Sequence, residues 1–370
     1  MKSWNIAITS LLAVLLGSSA TMAQAPLATV SIGANATNIG FNPVTNKIYV
    51  VGGLGNSLIE IDGFTFQSTT IPLQSSESVA STQIEVNPLT NTIYVINVVD
   101  NNVAVVNGDT HAVSFITTAT GPYALGINFV TNRLYVADFN ANMVSVIDCE
   151  NNTVKNISVG TNPSAIAVDW ATNRIYVANA GSNNVSVING SNYTVTNVPT
   201  GVNPSALAVD VTHNKVYVAN TSGNSLTEIN GLTDTAENIP VGSYPWQVAV
   251  NGVTEEVYVG FQNTGNIVSV NGATLQTKTI SAGVFTNQIV VDELRNEIYV
   301  ADPTGNQVVV INGVTNTATT FPGTGTYLWK IAVNPLTNEV YAANLISNNA
   351  SIYAGLPASL TLAFLDSLQK

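Results

Sequence analysis

The chain has 370 residues, a formal net charge of −12 and a pI near 4.3. Only 9% of its residues are charged, whereas 45% are hydrophobic; an ordinary soluble domain carries about a quarter charged residues. The acidic balance argues against a nucleic-acid-binding protein, because binding to phosphates needs a net basic track.

The N-terminus has the pattern of a secretory signal peptide. Lys2 precedes an apolar stretch over residues 6–16, and small residues follow. Pro26 disfavours cleavage just before it, so we expect residues 1–23 to be removed and the mature chain to begin at Gln24. The apolar stretch is too short for a comfortable membrane span. We therefore expect an exported protein that is periplasmic, extracellular or attached to the cell surface, with no membrane span in the mature chain.

A repeated phrase occupies nearly all of the remaining chain. "NPLTNTIYVI" begins at residue 87 and has near-copies such as "DWATNRIYVA" at residue 169. Each copy contains a tyrosine after an apolar residue, and these tyrosines are 41 to 45 residues apart: Tyr49, Tyr94, Tyr135, Tyr176, Tyr217, Tyr258, Tyr299 and Tyr341. A period near 41 suits a unit of four short strands, as in the blades of a β-propeller. Eight identical positions are typical of blade packing rather than of a functional site.

One repeat shows the four strands, which we name A to D in chain order. "SAIAVD" (164–169), "RIYVAN" (174–179), "NVSVING" (184–190) and "TVTNVPTG" (194–201) are rich in β-branched residues and bounded by turn residues. The sequence therefore predicts an all-β, eight-bladed propeller of four-stranded antiparallel blades.

The tyrosine motif resembles the YVTN β-propeller repeats of bacterial and archaeal secreted and surface proteins. The signature stands as "YVAN" at 176–179 and 217–220 and as "YVAD" at 135–138 and 299–302. This resemblance covers nearly all of the mature chain and implies the propeller fold. The better-known members have seven blades, which is the alternative to the eight counted here. The family has no catalytic signature that could be carried over.

The propeller is expected to span residues 27–355. The last repeat lacks strand D, whereas the segment "TVSIGAN" at 29–35 matches a strand D that has no repeat of its own. We therefore predict that the N-terminal strand completes the last blade and closes the ring. The tail at 356–370 contains "SLTLAFL", which could compete for the same edge as a strand or form a short amphipathic helix.

The two ends of the propeller differ in charge and in polar residues. The A–B and C–D turns define one end, which we call the bottom face. Both histidines, His111 and His213, lie in those turns, and this weakens any enzyme that needs a histidine base at the channel mouth. Five basic residues also cluster there, at the predicted start of strand B, near aspartates that would neutralise them: Lys47, Arg133, Arg174, Lys215 and Arg295.

The opposite end, the top face, holds the D–A and B–C loops and the channel mouth. Asp138 and Asp302 follow strand B there and are the weak candidates for a metal site. Most other blades have Asn at this position, so a loop cap is the favoured interpretation. No residue pattern indicates a cofactor.

Departures from the repeat concentrate in strand A of blades 6, 7, 8, 1 and 2. Amides, one lysine and one glutamate replace small residues, and aromatic residues stand beside them. We call this candidate ligand-binding set the mouth arc: Trp246, Gln247, Gln288, Trp329, Lys330, Asn38, Gln83, Glu85, Tyr244 and Tyr327. Such a set suits a sugar, a peptide or another small polar ligand. The alternative is that strand A tolerates variety beside a wet channel.

The favoured function is therefore an exported, monomeric, non-enzymatic propeller that binds a small polar ligand, a glycan or a protein. The first alternative is a lactonase-like or lyase-like enzyme with its site at the same mouth. The second alternative is a structural component of a surface layer. Fold alone does not choose between them.

Overall fold

The computed structural model describes residues 25–33, 35–52, 56–73, 83–283, 285–323 and 325–356. Within those ranges the regular structure consists of β-strands. The predicted signal peptide at 1–23 and the tail after residue 356 lie outside the described residues, so the expectations for both stay predictions.

The strands form eight separate four-stranded antiparallel sheets. The first strand, β1 (Ala28–Ser31), belongs to the last sheet. Blade 1 contains β2 (Ala36–Asn42), β3 (Lys47–Gly52), β4 (Ser57–Asp62) and β5 (Ser68–Pro72). Blade 2 contains β6 (Ile84–Asn87), β7 (Thr92–Asn97), β8 (Asn102–Asn107) and β9 (Val113–Thr117). Blade 3 contains β10 (Pro122–Asn128), β11 (Arg133–Asp138), β12 (Met143–Asp148) and β13 (Thr153–Ser158).

The central blades repeat this pattern closely. Blade 4 contains β14 (Pro163–Asp169), β15 (Arg174–Asn179), β16 (Asn184–Asn189) and β17 (Val195–Pro199). Blade 5 contains β18 (Pro204–Asp210), β19 (Lys215–Asn220), β20 (Ser225–Asn230) and β21 (Ala236–Pro240). Blade 6 contains β22 (Pro245–Asn251), β23 (Glu256–Phe261), β24 (Asn266–Asn271) and β25 (Thr277–Ser281).

The last two blades complete the ring. Blade 7 contains β26 (Gln288–Asp292), β27 (Glu297–Asp302), β28 (Gln307–Asn312) and β29 (Ala318–Pro322). Blade 8 contains β30 (Leu328–Asn334), β31 (Glu339–Asn344), β32 (Asn349–Ala354) and the N-terminal β1. The A strands of successive blades contact one another all the way round, including β30 with β2. The predicted eight-bladed propeller is therefore confirmed, and strand A lines the centre.

The N-terminal strand closes the ring as predicted. β1 pairs antiparallel with β32, and Thr29 stands opposite Ser351. Val30 and Ile32 are buried in a cluster that also contains residues of blades 8 and 1. The alternative in which the C-terminal "SLTLAFL" takes this edge is excluded, because β1 already occupies it.

The repeated tyrosines pack between blades. All eight are at most 2% exposed, so the interpretation as core is confirmed. The hydroxyls of Tyr299 and Tyr341 donate to Glu297 and Glu339 at 2.6 Å. By contrast, the buried hydroxyl groups of Tyr135 and Tyr176 have no hydrogen-bond partner among the described residues.

The phrase "NPLTN" forms a turn that also joins neighbouring blades. Asn42 Oδ1 accepts the backbone N–H groups of Val44 and Thr45, which caps the A–B turn. Asn42 Nδ2 donates to Asn91 Oδ1 of the next blade at 2.8 Å. Four further pairs repeat this bond at 2.7–2.9 Å: Asn87–Asn132, Asn128–Asn173, Asn251–Asn296 and Asn334–Asn46. The acceptor asparagines are in the left-handed conformation, with φ of 49–54°, which Asn adopts more readily than most residues.

The basic residues of the bottom face are neutralised locally. Arg133 pairs with Asp148 at 3.0 Å and Lys215 with Glu255 at 3.1 Å. One part of the prediction is wrong: Arg295 does not open strand B, because Glu297 begins β27. Arg295 lies in the A–B turn instead, where its guanidinium donates to Asp292 Oδ2 and to the carbonyl of Pro335.

Candidate functional site

The mouth arc lies where the A strands begin. In each blade strand A runs from a D–A loop towards the A–B turn, so its first residues stand at the top face. The A strands of blades 6, 7, 8, 1 and 2 are neighbours in that order. The structure therefore places the predicted arc on contiguous blades around one side of the channel.

Both arc tryptophans are β-bulge residues. In blade 6, Pro245 pairs with Phe261 and Gln247 with Gly260, so Trp246 has no residue opposite it. Trp329 is bulged in the same way between Leu328 and Lys330. A bulge turns its side chain out of the regular alternation and is common beside functional sites. Both indoles are half-buried, so part of each ring is open to solvent at this end of strand A.

Blade 7 clamps the bulge that contains Trp329. The carbonyl of Trp329 accepts the side-chain amide of Asn287, and Gln288 Oε1 accepts the N–H of Ile331 at 2.8 Å. The Trp329 ring also stacks on Tyr327, with ring centres 5.7 Å apart and an interplanar angle of 17°. The aromatic pair is therefore held by its backbone before any ligand arrives. The sequence prediction missed the role of Asn287, whose signal was an amide where blades 1, 2, 4 and 5 have Ser or Thr and blades 3, 6 and 8 have an aromatic residue.

Tyr244 and Tyr327 adopt a conformation that is unusual for their size. Their φ angles are 57° and 63°, and blades 4 and 5 have Asn162 and Asn203 at the same position. A bulky residue in the left-handed region costs about 1–2 kcal/mol. The two rings are nevertheless 55% and 38% exposed. Strain alone does not mark the site, because Tyr193 on the bottom face shares the conformation.

Two of the predicted ligand amides already bond the next blade. Gln83 Oε1 accepts the N–H of Leu125, as Gln288 Oε1 accepts that of Ile331. Asn38 Oδ1 accepts the N–H of Ile39 at 2.9 Å. These three side chains therefore accept backbone N–H groups of strand A where it faces the channel. Alanine, which stands at this position in blades 3 to 5, cannot accept a hydrogen bond through its side chain. For these three residues a structural role is shown, and ligand binding stays a prediction.

Glu85 lies deeper in the channel, two residues further along strand A. Seven of the eight described residues at its level are small and apolar: Gly40, Gly126, Ala167, Ala208, Ala249, Val290 and Ala332. The half-buried Glu85 has no hydrogen-bond or ion-pair partner among the described residues, and burial raises the pKa of its carboxyl to about 7. A carboxyl without a partner in an apolar wall is destabilising. Nothing in the packing of the blade requires it.

Lys330 carries the opposite charge at the mouth. It stands where blades 2, 6 and 7 have glutamine, and it is half-buried. Burial lowers the pKa of its ammonium group to about 8, and no carboxylate among the described residues pairs with it. The Lys and Arg side chains that form ion pairs in the described part of the chain lie on the bottom face. Lys330 is therefore an ammonium group at the mouth arc that is available to an anion.

The candidate metal ligands are loop caps. Asp138 Oδ2 accepts both the N–H and the hydroxyl of Ser145, at 3.0 and 2.7 Å, and burial raises its pKa to about 6. Asp302 Oδ1 accepts the N–H groups of Thr304 and Gly305, while its Oδ2 accepts Gln307 Nε2. Over the described part of the chain, no group of three His, Cys, Asp or Glu side chains could hold a metal ion.

Both histidines have carboxylate neighbours at the bottom face. His111 Nε2 lies 3.2 Å from Glu60 Oε2, and His213 Nδ1 lies 2.8 Å from Asp210 Oδ2. They are thus at the end of the propeller opposite the mouth arc and join blade to blade or cap a turn. Neither is placed to act as a base on a ligand at the mouth.

Comparisons with known proteins support the fold. The chain is similar to the Dos1 propeller, at 11% identity and a TM-score of 0.74, over 91% of this chain and 96% of that one. It is also similar to Sqt1 of Saccharomyces cerevisiae, at 11% identity and a TM-score of 0.76, over 91% and 100%. A third similarity is to hydrazine synthase of Kuenenia stuttgartiensis, at 17% identity and a TM-score of 0.61, over 75% and 96%.

These identities show the fold alone. No family model matches the chain, and no curated protein sequence matches it either, so the resemblance to YVTN repeats stays an expectation. An eight-bladed propeller supports a binding role in general, because its mouth gathers side chains from several blades. No helix in the described ranges is long and apolar enough to cross a membrane.

Proposed function

We propose that the protein is an exported, non-enzymatic binding module, and that its mouth arc binds a small polar ligand with an anionic group. The observation that carries this proposal is the convergence of half-buried aromatic rings and an unpaired ammonium group on one side of the mouth. Trp329 and Tyr327 offer a stacked face, and Lys330 follows directly in the same strand.

The physical roles differ along the arc. Aromatic rings contribute apolar area with a defined orientation, and binding energy concentrates in such anchors. Lys330 supplies the charge that selects an anion. Gln247 supplies an amide on the other side of blade 7. The structural amides Gln83 and Gln288 keep the backbone of the arc in place.

The test is calorimetry on the mature protein, because the double variant removes two of the three tryptophans that a fluorescence titration would need. Neutral oligosaccharides, uronic-acid oligosaccharides and short peptides are titrated against the wild type and against Trp246→Ser/Trp329→Ser. We expect an anionic member of this panel to bind, and the double variant to lose at least about tenfold in affinity, or about 1–2 kcal/mol per anchor. Serine is the residue that blades 4 and 5 carry at this position.

Trp170→Ser is the matched control. Trp170 is 44% exposed on the bottom face, where it contacts Phe129, so the same chemical change should leave binding unaltered. A ligand that binds the double variant as tightly as the wild type would place the site elsewhere. Unfolding of the double variant would show instead that the two tryptophans are core residues.

Export has its own test. We expect the protein from the periplasm or the medium to begin at Gln24, with Pro26 as the second possibility. N-terminal sequencing of the mature chain decides this, and recovery of the full-length chain from the cytoplasm would contradict it.

A further inference from the structure

We propose that the central channel contains a second subsite, at Glu85, for a cationic amine, so that the ligand of the mouth arc is dipolar: anionic at Lys330 and cationic at Glu85. This inference rests on the proposed function and narrows its ligand class to amino acids, short peptides and similar zwitterions.

The first argument is the position of Glu85. Strand A advances about 3.4 Å per residue, so two residues place Glu85 about 7 Å deeper than the level of Lys330. The Cβ that a glycine at this level would carry points at the next blade: at Gly40 it would meet Ile84 and Val86 of blade 2. By the same geometry the Cβ of Glu85 points at the apolar strand A of blade 3. Because the side chain is only half-buried, part of it is open to water on the inner side of the ring.

The second argument concerns the polar side chains that lie above and below Glu85 in the channel. Above Glu85 stand the other residues of the mouth arc, with their amides and Lys330. Below it, strand A ends in the ring of asparagine and aspartate side chains, and most of these are consumed by turns and by bonds between blades. Among the described residues, the carboxyl of Glu85 is therefore an acceptor without a protein partner at the depth that a ligand entering from the mouth would reach.

The third argument is charge. Glu85 and Lys330 form no ion pair with each other, and each is an unpaired ionisable group in the same passage. An ammonium group beside Glu85 and a carboxylate beside Lys330 would restore the charged form of both side chains. A ligand with only one charge would leave the other side chain unpaired, so affinity should depend on both ends of the ligand together.

Calorimetry with three probes of equal carbon number tests the inference: aminohexanoate, hexanoate and hexylamine, each titrated at about pH 7.5, between the two shifted pKa values. We expect aminohexanoate to bind the wild type at least about tenfold more tightly than hexanoate. The ratio of these two affinities should fall to about one in Glu85→Gln. It should be unchanged in Glu237→Gln, which alters an exposed glutamate on the outer strand β21.

The outcomes separate the two proposals. Equal binding of aminohexanoate and hexanoate to the wild type, with Lys330→Gln weakening both, would overturn the subsite while supporting the mouth arc. The subsite would also be overturned if aminohexanoate still bound Glu85→Gln more tightly than hexanoate by the same ratio as in the wild type. Absence of saturable binding by all three probes would contradict this inference, whereas the oligosaccharide and peptide panel still tests the mouth arc independently. If Glu85→Gln fails to fold, Glu85→Ala provides the same ratio.

Discussion

Gln288 Oε1 accepts the backbone N–H of Ile331 at 2.8 Å, and this bond joins blade 7 to blade 8 inside the channel. The bond shows how backbone N–H groups at the inner edge of strand A find an acceptor, since strand A has no further strand to pair with on that side. Where the preceding blade offers an amide, the edge N–H is satisfied by that side chain. Lys330 cannot accept a hydrogen bond, and Asn38 serves Ile39 from within blade 1 instead.

Replacing Glu85 with Ala should stabilise the protein above neutral pH. The folded state raises the pKa of Glu85 from 4.5 to about 7, so it binds the proton more tightly than the unfolded chain does. Stability therefore falls as pH rises through this interval, and the loss persists above about pH 7. The gain from Glu85→Ala should reach at most about 3 kcal/mol there, less where channel water screens the charge.

The measurement is the difference in Tm between Glu85→Ala and the wild type at about pH 5 and about pH 8. Four other blades carry alanine at this level, so the variant introduces a residue that the repeat already accommodates. A difference that does not grow with pH would show that the carboxyl is solvated or paired. Glu237→Ala, on the exposed outer strand β21, should give a difference that is flat with pH.

Lys330→Gln should stabilise the protein with the opposite pH dependence. The folded state lowers the pKa of Lys330 from 10.5 to about 8, so the charged form is disfavoured by folding. The cost is fully present below about pH 8 and disappears as pH rises towards 10.5. Chemical denaturation at about pH 7 should show a gain of about 1–2 kcal/mol, whereas Lys278→Gln, on the exposed strand β25, should show none.

Because β1 closes the ring, we expect the stability cost of a substitution in β1 to depend strongly on whether the substituted residue is buried. Val30→Asp places a charge in the cluster between blades 8 and 1 and should cost about 3 kcal/mol or more. Ser31→Asp changes the neighbouring exposed residue and should cost less than about 0.5 kcal/mol. Thermal unfolding of both variants checks this, and equal effects would mean that β1 contributes little to closure.

The bond between Asn128 and Asn173 can be separated from the turn it accompanies. Asn128→Ala removes the acceptor for Val130 and Thr131 as well as the donor to Asn173 Oδ1. Asn128→Asp keeps the turn acceptor, as Asp169 does naturally in blade 4. We expect the alanine variant to lose about 2 kcal/mol and the aspartate variant about half as much. Equal losses for the two variants would show that the bond between blades, and not the turn, accounts for the effect.

The sequence was sufficient to predict the fold because the same pattern of strand and turn residues occurs eight times along the chain. The tyrosine spacing predicts the blade count, and the orphan strand at the N-terminus predicts closure. The mouth was less predictable. A β-bulge at Trp246 or Trp329 depends on the hydrogen-bond register between two strands, which the sequence pattern does not specify. The bonds of Gln83 and Gln288 join them to residues about 42 positions away, in the next blade. The register error at Arg295 arose because the A–B turn of blade 7 contains Arg where six other blades have Thr and blade 5 has His213.

The most direct test of a dipolar ligand site is a crystal structure of the mature protein grown with aminohexanoate. The account predicts density that runs from Lys330, past the stacked rings of Tyr327 and Trp329, to Glu85. Density for the probe on the bottom face, or an empty channel in crystals grown from a solution in which calorimetry shows saturation, would contradict it.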